Sequence, residues 1–286
     1  MLLKKIKACY EISRPLNVSI TFFSILIAAS LSPAFKFSVA VWLAAVSAAL
    51  ITAGANIIND IFDIEIDRIN KPRRPLPSGR LSIKTARIFF IASYLMALAL
   101  SWYCGWIMFA IALIFSVLLY FYSSQFKRTI LTGNLLVSLA SAFAFIYGAL
   151  AVNDWKSGVF PAIFAFLFHF GREVIKDLQD VEGDLAQHAV TFAGKYGPRA
   201  SIFLINLVFM LLILLTFVPY IFGAYGIGYM TTVGIGVDLA LVTVLIILWR
   251  RRDPRMLGYI SHVLKLDMFV GLLAIYMGTH HVIFFN

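Results

Sequence analysis

The chain has 286 residues, 61% of them hydrophobic and 13% charged, and 24 Lys and Arg against 14 Asp and Glu give a formal net charge of +10. Soluble domains carry about 25% charged and roughly 45–50% apolar residues, which excludes a globule that meets water on all sides. The apolar residues fall in blocks of about 18–25, the length that crosses a hydrocarbon core of roughly 30 Å, so residues 1–286 read as a single all-α, polytopic membrane domain.

The polar start, Leu2 to Glu11, is unlike a signal peptide. It reads as a short amphipathic helix on the membrane surface, with Lys4, Lys5 and Lys7 toward the headgroups. Arg14-Pro15 precedes the first of nine expected spans, which cover 16–35, 38–58, 85–103, 105–122, 132–152, 157–176, 200–219, 224–248 and 263–284. Where the second span leaves the membrane, Asn56, Asp60, Asp63 and Asp67 follow one another at intervals of four, three and four. On an α-helix these intervals form one polar face, with Ile and Phe filling much of the other side. The run Arg68 to Arg80 comes next, and its three prolines and Gly79 end any helix. After the fourth span, Tyr122 to Arg128 adds Lys127 and Arg128.

The end of the sixth span repeats the first pattern. Glu173, Asp177, Asp180 and Asp184 are again spaced four, three and four, with Arg172 and Lys176 between them. The match hints at a duplicated four-helix unit with the ninth span appended. Asp238 reads as the only acid deep in a span, there for a helix–helix hydrogen bond. Cys9 and Cys104 have no metal-ligand spacing and read as unpaired thiols, and the five histidines show no ligand pattern.

Charge distribution sets the expected topology. The N-terminus and the loops after spans 2, 4, 6 and 8, with their flanking helix ends, hold 22 of the 24 Lys and Arg; Lys36 and Lys156 are on the other side. By the positive-inside rule the N-terminus is cytoplasmic, the C-terminus extracellular, and both acidic motifs face the cytoplasm of a multi-pass cell-membrane protein. The basic excess therefore reports topology and an anionic lipid or substrate, and no nucleic acid is expected.

Like charges at helical spacing repel, and intramembrane acids cost about 2.5–3.5 kcal/mol each. Two such clusters suit a hard divalent cation. Mg²⁺ takes a few carboxylates and completes its octahedron with water and phosphate oxygens. The candidate ligands are Asp60, Asp63, Asp67, Asp177, Asp180 and Asp184, of which Asp60, Asp63, Asp180 and Asp184 are the catalytic candidates. Arg14, Arg68, Arg74, Lys127, Arg128 and Lys176 are candidates for phosphate oxygens; for Arg14, Lys127 and Arg128 plain topology is an equal explanation. Carboxylates, cations and a cavity rich in aromatics together fit the ionisation of an allylic diphosphate. A transport site would put its acids near the bilayer midplane, whereas these cluster at one membrane face.

Asn59-Asp60-x-x-Asp63-x-x-x-Asp67, Asn70-Lys-Pro-x-Arg-Pro-x-Pro-Ser-Gly79 and Asp180-x-x-x-Asp184 resemble the UbiA-type intramembrane prenyltransferases over nearly the whole chain. The resemblance implies about nine transmembrane helices around a central cavity, with the two Asp-rich motifs facing each other under a cytoplasmic cap. It also assigns Asn56, Asp60, Asp63, Asp67, Asp180 and Asp184 to Mg²⁺-diphosphate positions. Gly171 to Asp184, followed by Thr191 to Gly197, resembles the members that build archaeal ether lipids. That implies geranylgeranyl diphosphate as donor and the hydroxyl of geranylgeranylglyceryl phosphate as acceptor, with an aromatic acceptor of quinone or haem synthesis as the alternative. Members often carry Tyr-x-x-x-Lys after the fourth span; here Ser123 stands four before Lys127, and Tyr122 is one place off.

Overall fold

The computed structural model describes residues 2–186 and 190–279; the side chains of residues 2–5, Asn70, Arg128, Glu182, 184–186 and Thr279 are outside the description. Every regular element among the described residues is helical. Eight helices are long and apolar enough to cross a membrane, and a bent N-terminal pair makes nine, in line with the expected spans.

That pair is α1 (Leu2–Ile12) and α2 (Pro15–Ser30), which meet at a 59° bend. Arg14 between them is left-handed (φ 53°), a conformation that costs a non-glycine residue about 1–3 kcal/mol. Pro15 at the first helical position suits the restart, because that N–H has no intrahelical acceptor. Ala8 and Ile12 of α1 are buried against Ile57, Leu76, Leu81 and Ala86, so the amphipathic helix packs on the protein with its apolar face. α2 ends at Ser30, ahead of the expected boundary, because Pro33 disfavours helix in the residues before it.

α3 (Val39–Phe62) begins with Ser38 accepting from the Val41 amide and runs past its apolar stretch into the first acidic motif. The single helical face expected across that motif is broken at Asp63 (φ −92°, ψ 5°), and α4 (Ile64–Asn70) resumes after it. α5 (Ile83–Tyr103) and α6 (Trp106–Ser124) form a hairpin. Its outer residues, Ile88, Ile91 and Leu95, are exposed, and Trp102, Tyr103 and Trp106 gather at its tip. Such a surface belongs against lipid, with aromatics at the interface.

α7 (Thr132–Leu150) and α8 (Val159–Ala186) follow, and α8 carries the second motif without a break. α9 (Phe192–Thr216) is capped by Thr191 and kinks at Gly197 (φ 77°) before Pro198. After the short α10 (Val218–Ile221), the eighth span combines α11 (Ile227–Thr232), a π-helical stretch over Val233–Asp238 and α12 (Leu239–Arg250). α13 (Pro254–Thr279) starts nine residues before the expected ninth span. Asp253 caps it by accepting from the Met256 amide at 3.1 Å. The polar residues Arg255, Ser261 and His262 mask its first turns from a hydropathy reading.

α3 packs on α2, α5 and α6, while α8 packs on α7, α9 and α13. Small residues let these helices approach closely. A Cβ at Gly148 of α7 would lie 2.5 Å from the Ile25 carbonyl oxygen of α2, and one at Gly171 of α8 would lie 2.2 Å from the Phe209 ring of α9. The largest core cluster joins α8, α9 and α11 to α13 through Val174, Ile175, Phe209, Tyr229, Leu241 and Leu264. Both acidic motifs are thereby fixed on rigid elements.

Candidate functional site

A cavity of about 490 Å³ opens among α2, α3, α6, α7, α8 and α13. Asn56, Asn59 and Asp63 line it from the end of α3, and Asp177 and Asp180 from α8. The two motifs thus contribute carboxylates to the same space. Its cations are Arg14, Lys71, Arg74, Lys127, Arg172, Lys176 and Lys265. Its inner wall is apolar, with Ile51, Ile111, Phe115, Val137, Phe143 and Phe145.

The first motif is buried: Asp60, Asp63 and Asp67 are 3%, 5% and 2% exposed. Buried carboxylates require partners, and each has one. Arg14 pairs with Asp60. Arg74 reaches Asp60 at 3.2 Å and Asp67 at 2.5 Å, clamping the loop back onto α3 and α4. Lys127 pairs with Asp63, which also accepts from Asn59 Nδ2 at 2.9 Å. Asp60 and Asp67 sit behind the cavity wall rather than on it. Burial pushes the Asp67 carboxyl above its usual range, opposed by the Arg74 guanidinium. Asn56 donates to the Ser13 carbonyl at 2.9 Å and faces the cavity beside Asn17.

On α8, Glu173 is buried between Arg172 (3.2 Å) and Lys176 (2.7 Å). Asp177 accepts from Asn134 Nδ2 of α7 at 2.9 Å. Asp180 stands 3.9 Å from Lys71. Burial pulls the Lys71 ammonium below the usual lysine range, with Asp180 acting against it.

The candidates from sequence therefore divide. Arg14, Asn56, Asp63, Arg74, Lys127, Lys176, Asp177 and Asp180 converge on the cavity, and Asp60 and Asp67 brace it from behind. Arg68 does not reach it. One residue past Asp67, it lies about 100° further round the helix and pairs with Glu65 at 2.9 Å on the surface. The side chains of Asp184 and Arg128 are outside the described ones. Tyr122 lines the cavity near Lys127 despite standing one place off the family spacing. Lys71, Asn134, His169 and Lys265 also line it and are not among the candidates from sequence; Lys71 is legible as the lysine of the Asn-Lys-Pro run.

Asp238 accepts from Thr216 Oγ1 at 3.0 Å, the helix–helix bond expected of it. It is not the only acid deep in a span. The early start of α13 puts Asp267 mid-helix, buried, on a smaller cavity of about 80 Å³. That cavity shares Ile20, Phe145, His169 and Met268 with the larger one and runs on to Leu212 and Ile275. Both cysteines are free.

The donor set suits Mg²⁺ in kind, with hard carboxylate oxygens from two helices beside asparagines and lysines. Among the described residues no three acidic, His or Cys groups form a ready cluster. Of the candidate metal ligands whose side chains are described, Asp63, Asp177 and Asp180 are the ones that line the cavity.

Residues 17–261 match the model of the UbiA prenyltransferase family. A digeranylgeranylglyceryl phosphate synthase of Methanopyrus kandleri is 34% identical over 94% of this chain and 97% of its own length. One from Sulfurisphaera tokodaii is 36% identical over 86% and 88%. The solved structure of a digeranylgeranylglyceryl phosphate synthase superposes with a TM-score of 0.76 at 30% identity, over 96% of this chain and 98% of that one. A UbiA homolog from Archaeoglobus fulgidus bound to DMAPP and Mg²⁺ shares the fold at a TM-score of 0.66 and 17% identity, over 93% and 98%.

Proposed function

The chain belongs to the UbiA prenyltransferase family, and from that premise we propose that it transfers a geranylgeranyl group from geranylgeranyl diphosphate to the free hydroxyl of geranylgeranylglyceryl phosphate, in archaeal ether-lipid synthesis. The observation that carries the reading is the shared cavity: acids of both motifs beside Lys71, Arg74 and Lys127, with aromatic and aliphatic walls further in. A charged diphosphate and a long isoprenoid chain need that division.

Bound Mg²⁺ would supply Lewis-acid stabilisation of the departing diphosphate, with Asp63, Asp177 and Asp180 as its holders. The chain's own groups do the rest. Arg74, fixed by Asp60 and Asp67, and Lys127, fixed by Asp63, are preorganised cations that meet the charge developing on the leaving oxygens. Lys71 adds a third. Phe115, Phe143 and Phe145 keep water from the allylic carbon and offer π faces to its positive charge. The allylic C–O bond breaks, the acceptor oxygen forms the ether bond, and its proton leaves late. A cavity carboxylate or the diphosphate itself is base enough for that step. The excess of Lys and Arg in the loops at that end supports a cytoplasmic position for the charged end of the cavity.

Membranes containing the protein, given geranylgeranyl diphosphate and Mg²⁺, are expected to prenylate geranylgeranylglyceryl phosphate and leave aromatic quinone and haem precursors unchanged. Prenylation of an aromatic acceptor, with no ether lipid formed, would overturn the assignment.

A further inference from the structure

The cations of the cavity differ in how they are neutralised. Arg14 and Arg74 have Asp60 and Asp67, Lys127 has Asp63, and Lys71 has Asp180. Arg172 and Lys176 share Glu173. Lys265 of α13, half-buried on the cavity wall, has no ion pair or hydrogen bond among the described residues. Arg14, Arg172 and Lys176 line the same cavity.

Arg172 ties this wall together. Its Nε donates to the Ser261 carbonyl of α13 at 3.3 Å and its Nη1 to Glu173 at 3.2 Å, while Nη2 has no partner among the described residues. Arg172 and Lys176 share the Glu173 carboxylate, whereas Lys265 has no carboxylate partner among the described residues. An unmatched cation beside a second one on a partly desolvated wall is costly unless an anion lies between them. A phosphate monoester, which carries about −1.5 to −2 at neutral pH, fits Lys265 and the open Nη2 of Arg172.

We propose that Lys265 and Arg172 form a second anion subsite that holds the phosphate of the acceptor lipid, distinct from the Lys71, Arg74 and Lys127 set that holds the donor's diphosphate. The inference rests on the reading above that the acceptor is a phosphorylated prenyl glycerol. Met268 lies three residues on from Lys265 and borders both cavities. A phosphate anchored at Lys265 leaves the acceptor's isoprenoid chain beside the apolar space running to Leu212 and Ile275. An acceptor without phosphate leaves these buried cations unmatched, and a site so built discriminates strongly against it.

The test compares initial rates of the purified full chain with geranylgeranylglyceryl phosphate and with its dephosphorylated alcohol. Lys265→Gln is expected to raise KM for the phosphorylated acceptor about tenfold to a hundredfold, the range of a lost charge-assisted hydrogen bond. KM for geranylgeranyl diphosphate and the rate with the alcohol should stay as in wild type, which also reports a folded variant. Arg172→Gln should give the same acceptor-selective pattern, and Lys265→Arg should keep the preference for the phosphorylated lipid. A rise in the donor's KM would assign Lys265 to the diphosphate, and unchanged acceptor discrimination would remove the subsite; either result overturns the proposal alone. Wild-type protein that makes no ether lipid from either acceptor would overturn the functional reading and the subsite with it.

Discussion

Replacing Asp63 with asparagine is expected to lower kcat/KM by about a hundredfold to a thousandfold, the scale of losing one preorganised electrostatic group at a reacting centre. Asp63 occupies the break between α3 and α4, where its amide donates to the Asn59 carbonyl at 2.9 Å and its carbonyl accepts from the Asp67 amide at 2.8 Å. Asparagine keeps the shape and both backbone bonds, so the fold should survive. The carboxylate charge is lost, and with it the anchor of Lys127 and the one first-motif carboxylate on the cavity wall. Steady-state rates alongside a thermal melt in detergent would check this. A variant with wild-type kcat/KM would move the chemistry away from Asp63.

Arg74→Met is the substitution expected to cost most in stability. Arg74 bridges Asp60 and Asp67, two carboxylates shut off from solvent. Removing one partner of a buried ion pair costs about 3–5 kcal/mol, because a charge is left uncompensated. Arg14 still reaches Asp60, so Asp67 bears most of the loss and the lower end of that range is expected. Arg74→Lys should fall between the two, since a single ammonium cannot fork across both carboxylates. The sign with pH follows from Asp67. Without Arg74 its folded-state pKa rises further above the unfolded value, and the destabilisation present at neutral pH shrinks as acid protonates it. Unfolding of the detergent-solubilised variants between pH 5 and 8 would show this, and an unchanged melting temperature in Arg74→Met would refute it.

The sequence made the span pattern and the helical acidic motifs legible because both rest on periodicity, a local property. Asp60, Asp63, Asp177 and Asp180 follow from spacing alone. The break at Asp63 does not, since it depends on the loop from Lys71 to Arg80 folding back so that Arg74 can bridge two helices. Arg68 and Arg74 look alike in composition, yet one faces solvent and the other a buried acid pair. Lys265 and Asp267 fall in the first turn and a half of the expected ninth span, where a polar residue reads as a helix end; Asp253 and Pro254 start the helix well before that, which moves both residues to mid-helix. Pairwise assignments across the cavity, such as Lys127 to Asp63 and Asn134 to Asp177, join residues far apart in the chain and needed the packed helices.

The most direct test of the account is the turnover of purified protein with geranylgeranyl diphosphate and geranylgeranylglyceryl phosphate, with Mg²⁺ and again in excess EDTA. Ether lipid and diphosphate released one for one with Mg²⁺, no product in EDTA, and full recovery when Mg²⁺ is returned are the predicted results. Undiminished ether-lipid formation in EDTA would contradict the reading of the two acidic motifs as a Mg²⁺-diphosphate site.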